Sequence, residues 1–425
     1  MNTEAREENK EHEETEEERR MRDERFVEKF FTERELIVKF DDTSNSHEQN
    51  AQAWYEAVEK TISALPIYQH DNVGQPIPNT DTSEADSTNV NKTDTLTPED
   101  ETTHPKTIPH AWFFRGQKDS RFAFTSTLYR RLLNASSDKL LIMTPSEHEE
   151  AMLNAELSLL NKARKIGIGR GLTALETLTL LQHHGSPTRL IDVTSDWKVA
   201  LFFACESDDD RDGRLFLMKT NSDRWRDFPK EKDTRKQAER PVWHNYLKYF
   251  NERDPKKWSK LWLSGTWPIL LPFSDPRMIS QRGFFLVGGV PSLKGASILY
   301  TSKCKHCKKK RCECSDSTVH PRSDTKRGTP IDSHLTVQEL RNITSMAIRF
   351  GADIKFFDKV ASAKCNDWSA VGYSIRIPKE YKRTLRNILR MEDVHTDSIY
   401  PPLRETVRLF EHVVDESLKQ QLPGL

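Results

Sequence analysis

The sequence predicts an α+β protein, a mixed-sheet core with flanking helices and disordered insertions. Three observations predict it. Short apolar runs at 112–114 and 283–289 read as buried strands, while apolar residues at three- and four-residue spacing elsewhere read as helices. The two kinds of element follow one another without the regular strand–helix beat of a parallel sheet. Long polar stretches without any period separate them.

Taken in order, residues 1–25 are dense in Glu and Arg and read as a charged arm, either a solvated helix or disordered. Residues 26–70 join the core. "RELIVKF" at 34–40 reads as a short strand. Ser46 and Gln49 stand at capping-box spacing before a helix that places Ala51, Trp54, Tyr55, Val58, Ile62 and Leu65 on one face. Residues 71–104, rich in Asn, Thr, Asp, Ser and Pro, read as a disordered insertion.

The main domain is expected over 105–420. "HAWFFRGQ" gives a buried strand ending at Gly116. Ser146 and Glu149 are expected to cap a helix using Leu153, Leu157 and Leu160. Leu175, Leu178 and Leu181 line the next. "TRLIDV" reads as a strand, followed by a helix carrying Trp197, Ala200, Leu201 and Ala204, capped at Thr194 or Ser195. Strands are expected at 213–219, 283–289, 346–350 and 371–377, and helices at 336–343, 379–390 and 402–418. Residues 221–262 read as helical and partly exposed. Residues 302–330 form a Cys-rich basic insertion.

Composition excludes some functions. The 65 Lys+Arg balance the 65 Asp+Glu, so contact with nucleic acid needs a local patch. No run of about 18 apolar residues predicts a membrane span. The charged N-terminus does not read as a secretory signal. Six cysteines in 425 residues do not make a disulfide framework. A cytoplasmic protein is expected, without a membrane partner.

Candidate chemistry concentrates in "LQHHGSPTRLIDVTSDWKVALFFAC", residues 181–205. Arg115 ends an aromatic strand and needs a carboxylate, a carbonyl or a ligand anion; its planar fork suits phosphate. Gly116 permits close backbone approach or a turn. His183 and His184 end a helix and read as structural or as contacts to a ribose or base edge. Asp192 and Thr194 share one strand face, with Arg189 on the other. They read as ligand contacts, or Asp192 as an arginine partner and Thr194 as a cap. Gln281 precedes a buried strand and suits a sugar hydroxyl. Cys304, Cys307, Cys312 and Cys314 suit a closed structural zinc site, or are free thiols in a basic loop that touches phosphates.

These segments resemble the FRG-domain family, named for its Phe/Tyr-Arg-Gly motif. The motif stands here as Phe114-Arg115-Gly116, followed by Gln117. The family's Gln-His-x-Gly-x-Pro-Thr-Arg-Leu-x-Asp stretch is matched by residues 182–192, and Gln281-Arg282-Gly283-Phe284 resembles a later segment. A further likeness is to ADP-ribosyltransferases, which implies a split sheet. It also implies NAD as cofactor, with Arg115, Gly116, Gln117, Arg189 and Thr194 around it. The late glutamate of that plan falls on Gln281 or Gly283. Asp192, His183 and Gln281 are therefore the implied catalytic residues, with Glu392 as another acid. The resemblance implies a nucleotide-handling transferase in a bacterial stress or defence setting. It takes a small anionic nucleotide and an acceptor that the sequence does not name. A non-catalytic binding module with a structural polar network and a zinc-stabilised nucleic-acid contact are the alternative expectations.

Overall fold

The computed structural model describes residues 16–41, 46–65, 112–135, 145–220, 239–241, 243–244, 262, 265–269, 276–290, 337–351 and 370–401. The insertion at 71–104, the helix at 402–418 and the candidate metal ligands Cys304, Cys307, Cys312 and Cys314 lie outside the described residues. The fold is α+β. In chain order its elements are α1 Glu16–Thr32, α2 His47–Ser63, β1 Trp112–Gln117, α3 Thr127–Ala135, α4 Pro145–Lys165 and α5 Ala174–His183. Next come β2 Ile191–Thr194, α6 Trp197–Cys205, β3 Gly213–Thr220, β4 Thr266–Ile269, α7 Pro276–Ser280 and β5 Gly283–Gly288. The last are α8 Val337–Ile343, β6 Arg349–Phe350, β7 Ala370–Ile377, α9 Lys382–Met391 and α10 Thr396–Ile399.

The seven strands form one sheet in the order β4-β5-β2-β1-β3-β7-β6. Neighbours are antiparallel except β6 and β7. Alternation along β1 and β3 explains the layering. Trp112, Phe114, Leu215 and Leu217 face a core made with α2, α6 and α9. Phe113, Phe216 and Met218 face the other way, where Val27, Phe30 and Phe31 of α1 and Ile343 of α8 cover them. A third core joins α4 and α5 to β4 and β5 through Trp243, Trp262 and Trp267, whose rings stack in sequence. Among the described residues no helix is long and apolar enough to cross a membrane.

Several elements depart from the sequence reading. Within 34–40 only Glu35 bridges β7, at Ser374, so this segment is no strand. The α6 cap is Asp196, whose carboxylate accepts the Lys198 amide at 2.9 Å; Thr194 and Ser195 precede it. Thr173 and Glu176 make a full capping box on α5, whereas Glu149 of α4 is buried and turned inward. β4 was not anticipated, because Pro268 interrupts it; an edge position tolerates the missing N–H. Trp243 and Trp262, expected in a partly exposed region, are fully buried.

His148 of α4 is also fully buried, edge-on to Tyr129. Among the described residues neither ring nitrogen has a hydrogen-bond partner. Burial, then the Arg341 charge, lowers its pKa from 6.5 to about 4, with Glu147 opposing weakly. The folded protein thus resists a proton that the unfolded chain accepts. Its contribution to stability is complete above pH 6.5 and is lost as pH falls towards about 4. The loss amounts to roughly 3 kcal/mol. Urea melts across this window are expected to show His148→Phe losing less stability than the parent; equal losses would remove His148 as the cause.

Candidate functional site

The site forms where β1 and β2 part. β1 is aromatic for three residues and then becomes Arg115-Gly116-Gln117. Gly116 has no space for a side chain: a Cβ there would stand 1.8 Å from the Ala200 carbonyl oxygen. Helix α6 therefore lies directly on the strand, and alternation turns Arg115 away from that helix. β1 and β2 share one registered pair, Phe114 with Thr194. Beyond it the ladder stops and the Arg115 guanidinium takes its place. Nη1 donates to the Asp192 carbonyl oxygen at 2.6 Å and stands 3.9 Å from the Asp192 carboxylate. Among the described residues the buried Nε of Arg115 has no hydrogen-bond partner. Burial lowers this guanidinium's pKa and Asp192 opposes the shift; an arginine stays charged regardless.

Asp192 is held from its other side as well. Thr188 Oγ1 donates to Gln182 Oε1 at 2.8 Å, which settles the orientation of that amide. Gln182 Nε2 then donates to Asp192 Oδ2 at 2.7 Å. Gln182 sits in the last turn of α5, and Gly185, at φ 81°, ends the helix so that the chain can return into β2. The Asp192 side chain remains 55% exposed, oriented but open to a ligand.

The cleft at this opening has a volume of about 440 Å³, the size of a small-molecule site. Arg115, Lys118, Arg130 and Arg277 bring four cations to its described wall, against one carboxylate, Asp192. Lys118 pairs with Asp208 at 3.1 Å, and Arg277 lies 4.6 Å over the Tyr400 ring. Phe122, an exposed aromatic, also lines it.

The residues singled out from the sequence divide into two groups. Arg115, Gly116, Gln117, His183, Asp192, Thr194 and Gln281 all line the cleft. Several are already engaged. Gln117 Nε2 donates to the Ala123 carbonyl at 3.1 Å. Thr194 Oγ1 donates to the Gln281 carbonyl at 2.7 Å and accepts the Asp196 amide at 3.0 Å. The Gln281 amide donates to the Ile399 carbonyl at 3.3 Å. His183 meets His184 edge-on.

Arg189 does not join them, and the expectation that it faces a ligand is corrected. It lies just before β2 and is 2% exposed. Its Nε donates to Glu156 and its Nη1 to Glu149, both at 2.7 Å. Its guanidinium also lies 5.3 Å from the Trp243 ring. Strand alternation puts Arg189 on the face opposite Asp192, and that face is core. Glu392 is elsewhere too, paired with Lys198 of α6.

Sequence reasoning missed Arg130, Lys118 and Arg277, which carry no motif. It also missed Glu156, although a signal was present. Glu149, Leu153, Glu156 and Leu160 recur at helical spacing, so two carboxylates lie on a buried stripe and require a cation.

The site is thus a cationic cleft in an α+β domain, where the sheet opens between two central strands. The chain carries an FRG domain, the family's model matching residues 110–213. That span includes Arg115, Arg130, Gln182, Asp192 and the buried Arg189 with both its carboxylates; Arg277 and Gln281 lie beyond it. No curated protein and no solved structure matches the chain.

Because Glu149 and Glu156 are both fully buried, removing their cation strands two carboxylates. Arg189→Leu is expected to cost about 3–5 kcal/mol in urea unfolding. Adding Glu149→Gln and Glu156→Gln should recover part of that. A single-variant loss below about 1 kcal/mol would show that the carboxylates do not depend on Arg189.

Proposed function

We propose that the cleft of the FRG domain binds NAD and supports transfer of its ADP-ribosyl group, with Arg115 as the anion contact and Asp192 as the acting carboxylate. The observation that carries this reading is the Arg115 guanidinium. It stands in the sheet opening with its side chain 21% exposed and lines a cleft with a single carboxylate among its described residues. The residues present fit such a ligand: cations for a diphosphate, an aromatic rim at Phe122 for a base, and an oriented carboxylate.

NAD supplies an activated glycosidic bond; the chain supplies charge and position. Arg115 would hold phosphate oxygens. Asp192, its Oδ2 bonded by Gln182, presents a carboxylate that holds a hydroxyl of the ligand or takes a proton from an acceptor. His183 stands at the same wall and suits a ribose contact. No glutamate occupies the late position, so Asp192 carries the acid–base role alone.

Thermal shift with NAD is the first test. At a hundredfold excess over its dissociation constant a ligand adds about 2.7 kcal/mol, so a clear rise in melting temperature is expected. Arg115→Ala should abolish it, and equal shifts in both proteins would reject this site. With labelled NAD and mixed protein and nucleic-acid acceptors, Asp192→Asn should keep the thermal shift and lose about a hundredfold or more in label transfer. Binding without transfer to any acceptor would make the domain a binding module.

A further inference from the structure

We propose that Arg130 completes, with Arg115, a two-guanidinium clamp that makes the cleft select ligands carrying a diphosphate over those carrying one phosphate. The inference rests on the nucleotide reading of the same cleft and names its ligand class: dinucleotides and nucleoside diphosphates.

The two guanidiniums arrive from different elements, Arg115 from β1 and Arg130 from the first turn of α3, and line one cleft. Arg130 is held in place before any ligand enters. Its Nη1 donates to the Thr125 carbonyl at 2.8 Å and its Nη2 to Thr127 Oγ1 at 3.1 Å. A long side chain fixed in this way loses little further freedom when it meets an anion.

The charges nearby do not balance. Asp192 is the single carboxylate of the described wall. One of its oxygens already accepts from Gln182, and it stands 3.9 Å from Arg115. Two cations therefore share one anion. Withdrawal from water and then the like charge of Arg115 lower the Arg130 guanidinium, with Asp192 opposing. Lys118 pairs with Asp208; Arg277 keeps its charge over the Tyr400 ring and adds to the cationic excess of the same wall.

A dianion relieves the repulsion, and a planar fork matches two oxygens of one phosphoryl group. Two forks match two linked groups. A phosphate monoester, though nearly a dianion near neutral pH, has one phosphoryl group and so engages one fork.

The test is calorimetric titration of the full chain with ADP, AMP, inorganic pyrophosphate and orthophosphate. The parent is expected to bind ADP at least about tenfold more tightly than AMP, and pyrophosphate more tightly than orthophosphate by a similar factor. Arg130→Gln should bring the ADP-to-AMP ratio to within about twofold while AMP affinity changes little. Arg130→Lys, which keeps the charge and loses the fork, should fall between. Melting each variant beside the parent separates loss of the clamp from any cost of removing the Arg130 bonds to Thr125 and Thr127. A parent that binds both nucleotides equally, or an Arg130→Gln ratio equal to the parent's, would overturn the clamp and leave the nucleotide reading standing. Failure of the parent to bind any of the four probes would overturn both.

Discussion

The site depends on one substitution of a side chain for a backbone ladder. β1 and β2 are held by a single registered pair, and the Arg115 guanidinium satisfies the Asp192 carbonyl beyond it. A sheet that opens between central strands leaves peptide groups without partners, and an arginine can bridge that gap while keeping donors to spare. The same contact places a cation beside the one carboxylate of the described wall. Structure and electrostatics are therefore a single feature, and close packing of α6 on Gly116 keeps the strand where the bridge needs it.

The segment from Gln182 to Asp192 serves two opposed purposes. Thr188 and Gln182 orient the exposed Asp192. Arg189, one residue on from Thr188, is driven into the core between Glu149 and Glu156, with Trp243 donating to the latter at 2.9 Å. A buried charge cluster of this kind is a costly way to gain stability but a strict way to fix register, since any slip strands a charge. The strict anchor stands immediately beside the exposed carboxylate. The polarity of this stretch thus belongs partly to the site and partly to the scaffold that holds it.

Much of this was legible before any coordinates. Periodicity placed α2, α5, α6, β1, β3, β5 and β7, because their apolar residues match helix or strand spacing closely. The FRG motif and the residues around 182–192 located two walls of the cleft. Legibility failed where a residue's role depends on what folds against it. Arg115 and Arg189 are both arginines beside apolar strand residues, and sequence alone could not say which would find two carboxylates waiting on α4. Arg130 sits beside Arg131 in an amphipathic helix, where position along the stripe does not mark a ligand contact. β4 was hidden by its proline, which only an edge strand accepts.

At the late position of the transferase plan the chain has Gln281 and Gly283 in place of a glutamate. Gly283 pairs with Thr194 across β2 and β5, and a Cβ at that position would stand 2.5 Å from the Met278 Cε. A turn of the flexible Met278 side chain would relieve that contact, since its backbone oxygen lies 3.6 Å away. Gln281 is nearby, yet its amide and the Ser280 hydroxyl both donate to the Ile399 carbonyl, tying α7 to the end of α10. This corner of the cleft is thus committed to joining two parts of the chain. In the proposed reaction, acid–base chemistry at the opening falls to β2, where Asp192 is both exposed and oriented. The Thr188–Gln182 relay matters for that reason. With a second carboxylate absent from the described wall, any loss of orientation at Asp192 has nothing beside it to compensate.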